Sequence, residues 1–185
     1  MANYAVAEQR IEPRTAVPVK DRVMIGLIIL FTAVALTLEL YWLIFHQQME
    51  SRTDLFAHTI ALYWPADYSY RIPGYPIEKS YTLTVEAINT FLTPVLSALL
   101  IYAIVKHRPY RYPLQLVIGT YTFYGTFVYY TLHHVSGYKA FEYWGAYPFL
   151  MFYLANLPWL VAYGWFACDA FRALVRGEAR PSSPG

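Results

Sequence analysis

The chain has 185 residues, 57% of them hydrophobic and 14% charged, and its mean hydropathy of +0.30 sets it apart from ordinary soluble enzymes. A net charge of +2, with no basic run interleaved with stacking aromatics, excludes nucleic-acid binding. The single cysteine, Cys168, lies in an apolar stretch; it permits no intrachain disulfide and reads as a small core residue.

In chain order, residues 1–22 are polar and carry Arg10, Arg14, Lys20 and Arg22, with no apolar core leading to a small-residue cleavage site. They are expected to form an N-terminal cytoplasmic segment ahead of an uncleaved signal anchor. Four apolar stretches long enough to span a bilayer follow, at about Val23–Phe45, Thr82–Val105, Leu114–Leu132 and Tyr147–Leu174. The longest connection, His46 to Tyr81, holds an amphipathic piece around Leu55, Phe56, Ile60, Leu62, Tyr63 and Trp64. Turn signals at Pro65, Pro73, Gly74 and Pro76 come next, and the segment is suited to capping one mouth of a bundle. The spans make one transmembrane domain over 23–176, and residues 177–185, rich in Pro and Ser, read as a disordered tail.

Counting basic residues gives the topology. Arg10, Arg14, Lys20, Arg22, Lys106, Arg108, Arg111, Arg172, Arg176 and Arg180 fall on one side of the four spans, against Arg52, Arg71, Lys79 and Lys139 on the other. The positive-inside rule then places both termini in the cytoplasm, with Lys106 to Arg111 a tight cytoplasmic turn. Tyr41, Trp42, Tyr110, Tyr112, Tyr143 and Trp144 are read as interfacial belt residues.

Two glutamates, Glu39 and Glu86, stand within the apolar spans. A charge at the bilayer centre costs roughly 2.5–3.5 kcal/mol on insertion scales, so such a carboxyl usually faces a bundle interior and has a task. The structural alternatives are an interfacial carboxylate beside Tyr41 and Trp42 for Glu39, and an acid favoured by the start of a helix for Glu86. Helical spacing puts Asn89 one turn from Glu86, and Asn156 one turn from Trp159, so each helix presents a paired polar site. Tyr124 is expected to turn its hydroxyl inward, because phenols within a span need partners. His133 and His134 are adjacent and so point about 100° apart on a helix, which argues against a metal site. Phosphate cradles, serine-hydrolase elbows and Cys-x-x-Cys motifs are missing from the sequence, leaving acid–base chemistry without a cofactor or metal.

Several short motifs, in order, resemble the EXPERA domain shared by emopamil-binding protein, a sterol delta-8,delta-7 isomerase, and the sigma-2 receptor. They are Val85-Glu86-Ala87-Ile88 leading to Pro94, Leu114-Gln115-Leu116-Val117, Tyr124-Gly125 with Tyr129, His134 with Gly137, and Asn156-Leu157-Pro158-Trp159. With the first span and the loop holding Trp64, Asp67 and Arg71, the resemblance covers about Ile28 to Arg176. It implies a membrane pocket for a sterol or similar amphiphile, in which Glu86 takes the place of the family's second-helix acid and Asn156 and Trp159 those of its last-helix Asn and Trp. Glu39 ends the family's His-x-x-x-Glu pattern, but Ala35 stands at the His position. Thr126 and Asn89 likewise replace an Asp and a Thr of the isomerase.

The expectation is therefore an all-α polytopic membrane four-helix bundle with an intramembrane ligand pocket. Glu39 and Glu86 would be its catalytic pair, and Asn89, Tyr124, Thr126, Asn156 and Trp159 its substrate-binding residues. The reaction would protonate a sterol or terpenoid to a carbocation and deprotonate it, shifting a double bond or closing a ring. Trp159 is the candidate to face the cation. A non-catalytic sterol- or amphiphile-binding protein of the sigma-2 receptor type is the competing reading. The partners are the small molecule and the bilayer, with a homodimer left open, and the resemblance implies the endoplasmic reticulum.

Overall fold

At lipid depth the backbone must satisfy its own polar groups, and a helix does so within one segment. The computed structural model, which describes residues 16–71 and 77–177, accordingly forms helices and, among those residues, no strand. Helix α1 runs Val19–Phe45, interrupted by a π turn at Ala35–Glu39. A short α2 covers Leu55–Ala61, started by the Asp54 side chain, which accepts from the Ala57 N–H at 3.2 Å. Helix α3 comprises Ile77–Ala87, a second π turn at Ile88–Leu92, and Thr93–Val105. Helices α4, Arg111–Val135, and α5, Ala146–Val175, complete the chain.

Among the described residues three helices are long and apolar enough to cross a membrane: Val19–Phe45, Lys79–Val105 and Ala146–Val175. Helix α4 has 25 residues and carries more polar groups, but Gln115, Thr122 and His133 are buried against its neighbours. It packs along α5 and against α3, with Val117, Tyr124, Phe127 and Val135 on its exposed face. Lipid supplies no hydrophobic drive between helices, so close packing must hold them. Gly119 on α4 marks the closest approach: a Cβ there would lie 2.6 Å from the backbone nitrogen of Ala167 on α5. Around it Met24, Ile28, Phe31, Leu100, Ile104, Ile118, Tyr163 and Phe166 form the core where all four helices meet.

At one end of the bundle, buried Arg111 forms a two-pronged ion pair with buried Asp21, one prong at 2.8 Å. Beside it Lys20 reaches Asp169 at 2.6 Å, and Gln115 donates to Asp169 at 3.0 Å. Helix α1 thus begins earlier than its hydropathy suggests, because Asp21 has a partner inside. Cys168 corrects another expectation: it is exposed on the outer face of α5.

At the other end the long connection folds in as a plug. Two 3₁₀ turns, Trp64–Ala66 and Tyr68–Tyr70, tuck Ala66, Asp67 and Ser69 into the bundle. They are tied to the α4–α5 connection by Tyr68 N–H to Ala140 C=O at 2.8 Å and Glu142 N–H to Pro65 C=O at 3.1 Å. Arg71 adds ion pairs to Glu50 and Glu142. Arg10, Arg14, Pro73, Gly74, Pro76, Arg180 and the rest of the expected tail beyond Gly177 lie outside the described residues.

Candidate active site

The two π turns lie against each other, and each adjoins one of the intramembrane glutamates. A π turn widens the helix by one residue, breaks the regular i to i−4 ladder and is often found at functional sites. Local chemistry accounts for both. In α1 the Thr37 hydroxyl bonds back to the Ala33 carbonyl at 2.6 Å, competing with the helix ladder. In α3, Pro94 has no N–H to offer the ladder, and just before it the Thr93 N–H and hydroxyl both donate to the Ile88 carbonyl, the hydroxyl at 3.3 Å.

The packed turns bring Glu39 and Glu86 onto the wall of one small cavity. Glu86 accepts from the Tyr70 hydroxyl and lines the same cavity as Asn89. Among the described residues neither glutamate has an ion pair, and each keeps one buried carboxyl oxygen without a protein partner. Tyr70 comes from the plug. The buried Trp42 indole donates to the Tyr70 carbonyl at 2.9 Å and packs on its ring at 4.7 Å, aiming the phenol at Glu86. Trp42 is therefore core, where the sequence suggested the membrane interface. Burial, and then the charge of Glu86, push the Tyr70 hydroxyl well above its ordinary pKa, so it stays a donor.

A cavity of about 60 Å³ is lined by Glu39, Glu86, Asn89, Thr126, Asn156 and Trp159 together with Tyr70, Thr82, Val85, Gly125 and Tyr129. Six of the seven residues singled out in the sequence thus meet around one space. On the far side of Glu39, Glu86, Asn156, Trp159 and Tyr70 lies a more apolar space of about 250 Å³, bounded also by Leu38, Ile60, Met151 and Ala155. Trp159 forms part of both walls, stacked on Phe31 with centroids 4.4 Å apart. Asn156 donates to the Tyr63 hydroxyl and to the Phe152 carbonyl, both at 2.8 Å.

Tyr124 is the exception and a correction. Thr122, Thr126, Tyr129 and His133 follow one another at four, three and four residues and share the inner face of α4, whereas Tyr124 is two residues from both Thr122 and Thr126. Two residues are about 200° on a helix, and Tyr124 points outward, 65% exposed.

The sequence reading missed Tyr63, Tyr70 and His133 as parts of the site. It quoted Asp67 and Tyr129 only within motifs. These side chains form a second polar cluster beside the glutamates. Tyr129 donates to Asp67 at 2.5 Å, its oxygen lies 3.1 Å from the Tyr63 hydroxyl, and His133 Nε2 is 3.7 Å from Asp67. A phenol in a membrane protein gives little sequence signal; the close spacing of Tyr63, Asp67 and Tyr70 was the available one.

The family model EBP: EXPERA (EXPanded EBP superfamily) matches residues 55–170. The match takes in Glu86, Asn89, Thr126, Asn156 and Trp159 and leaves Ala35 and Glu39 outside it. The 3-beta-hydroxysteroid-Delta(8),Delta(7)-isomerase of Rattus norvegicus is 26% identical over 114 residues, 61% of this chain and 50% of that protein. The chain thus spans about half the length of the curated relative it matches.

Proposed function

The chain belongs to the EXPERA family, and from that premise we propose that it is an integral membrane isomerase or cyclase acting on a sterol or terpenoid skeleton through a carbocation. One observation carries the proposal: two carboxyls from different helices line one small cavity, unaccompanied by any ion-pair cation among the described residues, beside an indole and two amides. In this reading the two carboxyls share one proton, so that the pair holds an acid and a base together. The acid delivers that proton to one alkene carbon, forming a C–H bond and leaving a cation on the neighbouring carbon. The base then removes a proton from an adjacent carbon, and the electron pair of the broken C–H bond becomes the new double bond. If another alkene of the substrate attacks the cation first, a ring closes before the proton leaves. No electron donor or acceptor is required in either course.

In this reading Glu86, with Asn89 and Tyr70 to hold it, and Glu39 share the two proton transfers. Trp159 presents its ring to the cation, a contact worth about 2 kcal/mol or more when desolvated. Asn156 and Thr126 orient the skeleton. The space of about 250 Å³ beside Trp159 suits the hydrocarbon, while the space of about 60 Å³ suits only the reacting edge or one or two waters at roughly 30 Å³ each.

Buried Ala35 in place of the family's His, together with so small a space at the acids, favours a second reading: a binding protein that holds a sterol or amphiphile without converting it. Membranes carrying the chain, incubated with a delta-8 sterol and separately with a linear polyprenyl alcohol, separate the two. Double-bond migration or a new ring, found by mass spectrometry and NMR and lost in Glu86→Gln, supports the enzyme. Saturable binding with unaltered ligand supports the binding protein.

A further inference from the structure

The buried cluster of Asp67, Tyr129, Tyr63 and His133 stands apart from the glutamate pair and takes no part in the steps above, yet its hydrogen bonds have a direction. Tyr129 has one hydroxyl proton and gives it to Asp67, so the contact at 3.1 Å must use the proton of Tyr63. Tyr63 in turn accepts from Asn156. The chain therefore runs from Asn156 through two phenols to the carboxylate of Asp67.

At the outer end stands His133. Its Nδ1 lies 3.1 Å from the Tyr129 backbone carbonyl, an acceptor, so Nδ1 carries a proton. In the neutral ring Nε2 is then a bare lone pair, and it is buried without a hydrogen-bond partner, 3.7 Å from Asp67. This is a vacant seat for a proton beside a carboxylate. His133, Asp67 and Tyr129 line a cavity of about 500 Å³ whose rim includes the exposed Ser136 and Lys139, at the end of the bundle covered by the plug. Tyr129 also lines the space of about 60 Å³ that contains Glu39, Glu86 and Tyr70, so one phenol borders both cavities.

We propose that His133, Asp67 and Tyr129 form a proton-exchange site connecting the water-facing cavity to the Glu39–Glu86 pair. A proton taken up at His133 Nε2 passes to the Asp67–Tyr129 hydrogen bond. Protonated Asp67 becomes the donor to the Tyr129 oxygen as the Tyr129 hydroxyl proton turns from Asp67 to a water in the small cavity, which hands a proton on to the Glu86 end; the phenol regains its proton from Asp67. Each step moves one proton and the ring and carboxyl groups return to their starting forms. The inference deepens the acid–base reading of the pair: each turnover returns one proton to the two carboxyls, and this path lets that proton exchange with water, which lipid does not allow.

The test uses full-length protein in lipid nanodiscs, switched from H₂O to D₂O and followed by infrared spectroscopy. A protonated carboxyl band absent from Glu86→Gln belongs to the pair. Its deuterium shift should slow by about tenfold or more in both Tyr129→Phe and His133→Gln, since each removes a hydrogen-bonding group from the path. An unchanged exchange rate in either variant whose melting curve matches wild type, or a band that Glu86→Gln does not remove, overturns the proposal. Tyr129→Phe alters one hydroxyl and keeps the ring, and Asp67→Asn serves if His133→Gln does not fold. The outcome is independent of turnover. Slowed exchange without sterol or polyprenol conversion would sink the enzymatic reading and keep the proton path, while conversion with unchanged exchange would do the reverse. Where conversion occurs in D₂O, the product of repeated turnovers should carry less deuterium in Tyr129→Phe than in wild type, because the pair would recycle the proton it removed.

Discussion

The two ends of the bundle bury carboxyls in opposite ways. At one end Asp21 meets Arg111 and Asp169 meets Lys20, each acid answered by a cation. Toward the plug, Glu86 meets a phenol and shares a cavity wall with an amide and another carboxyl, and Asp67 meets a phenol and a backbone N–H. An ion pair fixes the protonation state and holds helices in register; a carboxyl among neutral donors can exchange its proton. Burial alone does not mark a functional acid, and the character of its partners does.

The comparison breaks if the plug-side acids prove to be structural. Glu86→Gln keeps size and hydrogen bonding, and it should lower turnover of an accepted substrate by about 10²–10⁴-fold, the range of general acid–base contributions. Its melting temperature in detergent should stay close to wild type. The converse holds at the other end, where Arg111→Ala leaves Asp21 buried and unpaired and should cost about 3–5 kcal/mol of stability. Turnover per folded molecule should persist in that variant. If Glu86→Gln unfolds the protein and Arg111→Ala does not, the assignment of the two ends is reversed.

That contrast was half visible in the sequence. Glu39, Glu86, Asn156 and Trp159 stood out because polar groups are rare and costly in apolar spans, and the motif resemblance ordered them. The helical fold was legible for the same reason, and three of the helices expected to cross the membrane are long and apolar enough to do so, while α4 falls short of that mark among the described residues. Asp21 was not seen as buried, because its partner Arg111 is 90 residues away and counts as a loop cation until the helices pack. The π turns left only the traces of Thr37 and Pro94, and no periodicity announces that a helix will widen by a residue. Tyr124 and Cys168 were misplaced because a lipid-facing surface is as apolar as the core, so residue type does not tell which face looks inward.

A smaller effect sharpens the plug-side reading. Trp159→Ala removes the ring proposed to face the cation, and a contact of about 2 kcal/mol predicts roughly a 30-fold fall in turnover. Because Trp159 also stacks on Phe31, the substitution should cost stability, which the aliphatic Trp159→Leu would partly restore. Restored stability with turnover still low assigns the loss to the ring. Recovery of both together would make Trp159 a packing residue and move the cation elsewhere.

The smallest effect is expected on the same helix that carries Tyr129. Tyr124→Phe removes a hydroxyl from an outward-facing ring, so stability should change by no more than about 0.5 kcal/mol, as for surface sites away from special features. Turnover should remain near wild type. Tyr129→Phe, five residues on, removes a hydroxyl held by Asp67 and facing both cavities, and should be felt. Measuring the pair in one preparation isolates helix face from residue type, since both lose the same atom. If Tyr124→Phe proved the more damaging, α4 would have to be rotated by about 180°. Thr126 and Tyr129 would then leave the cavity, and the inner polar face on which both the acid pair and the proton path depend would no longer exist.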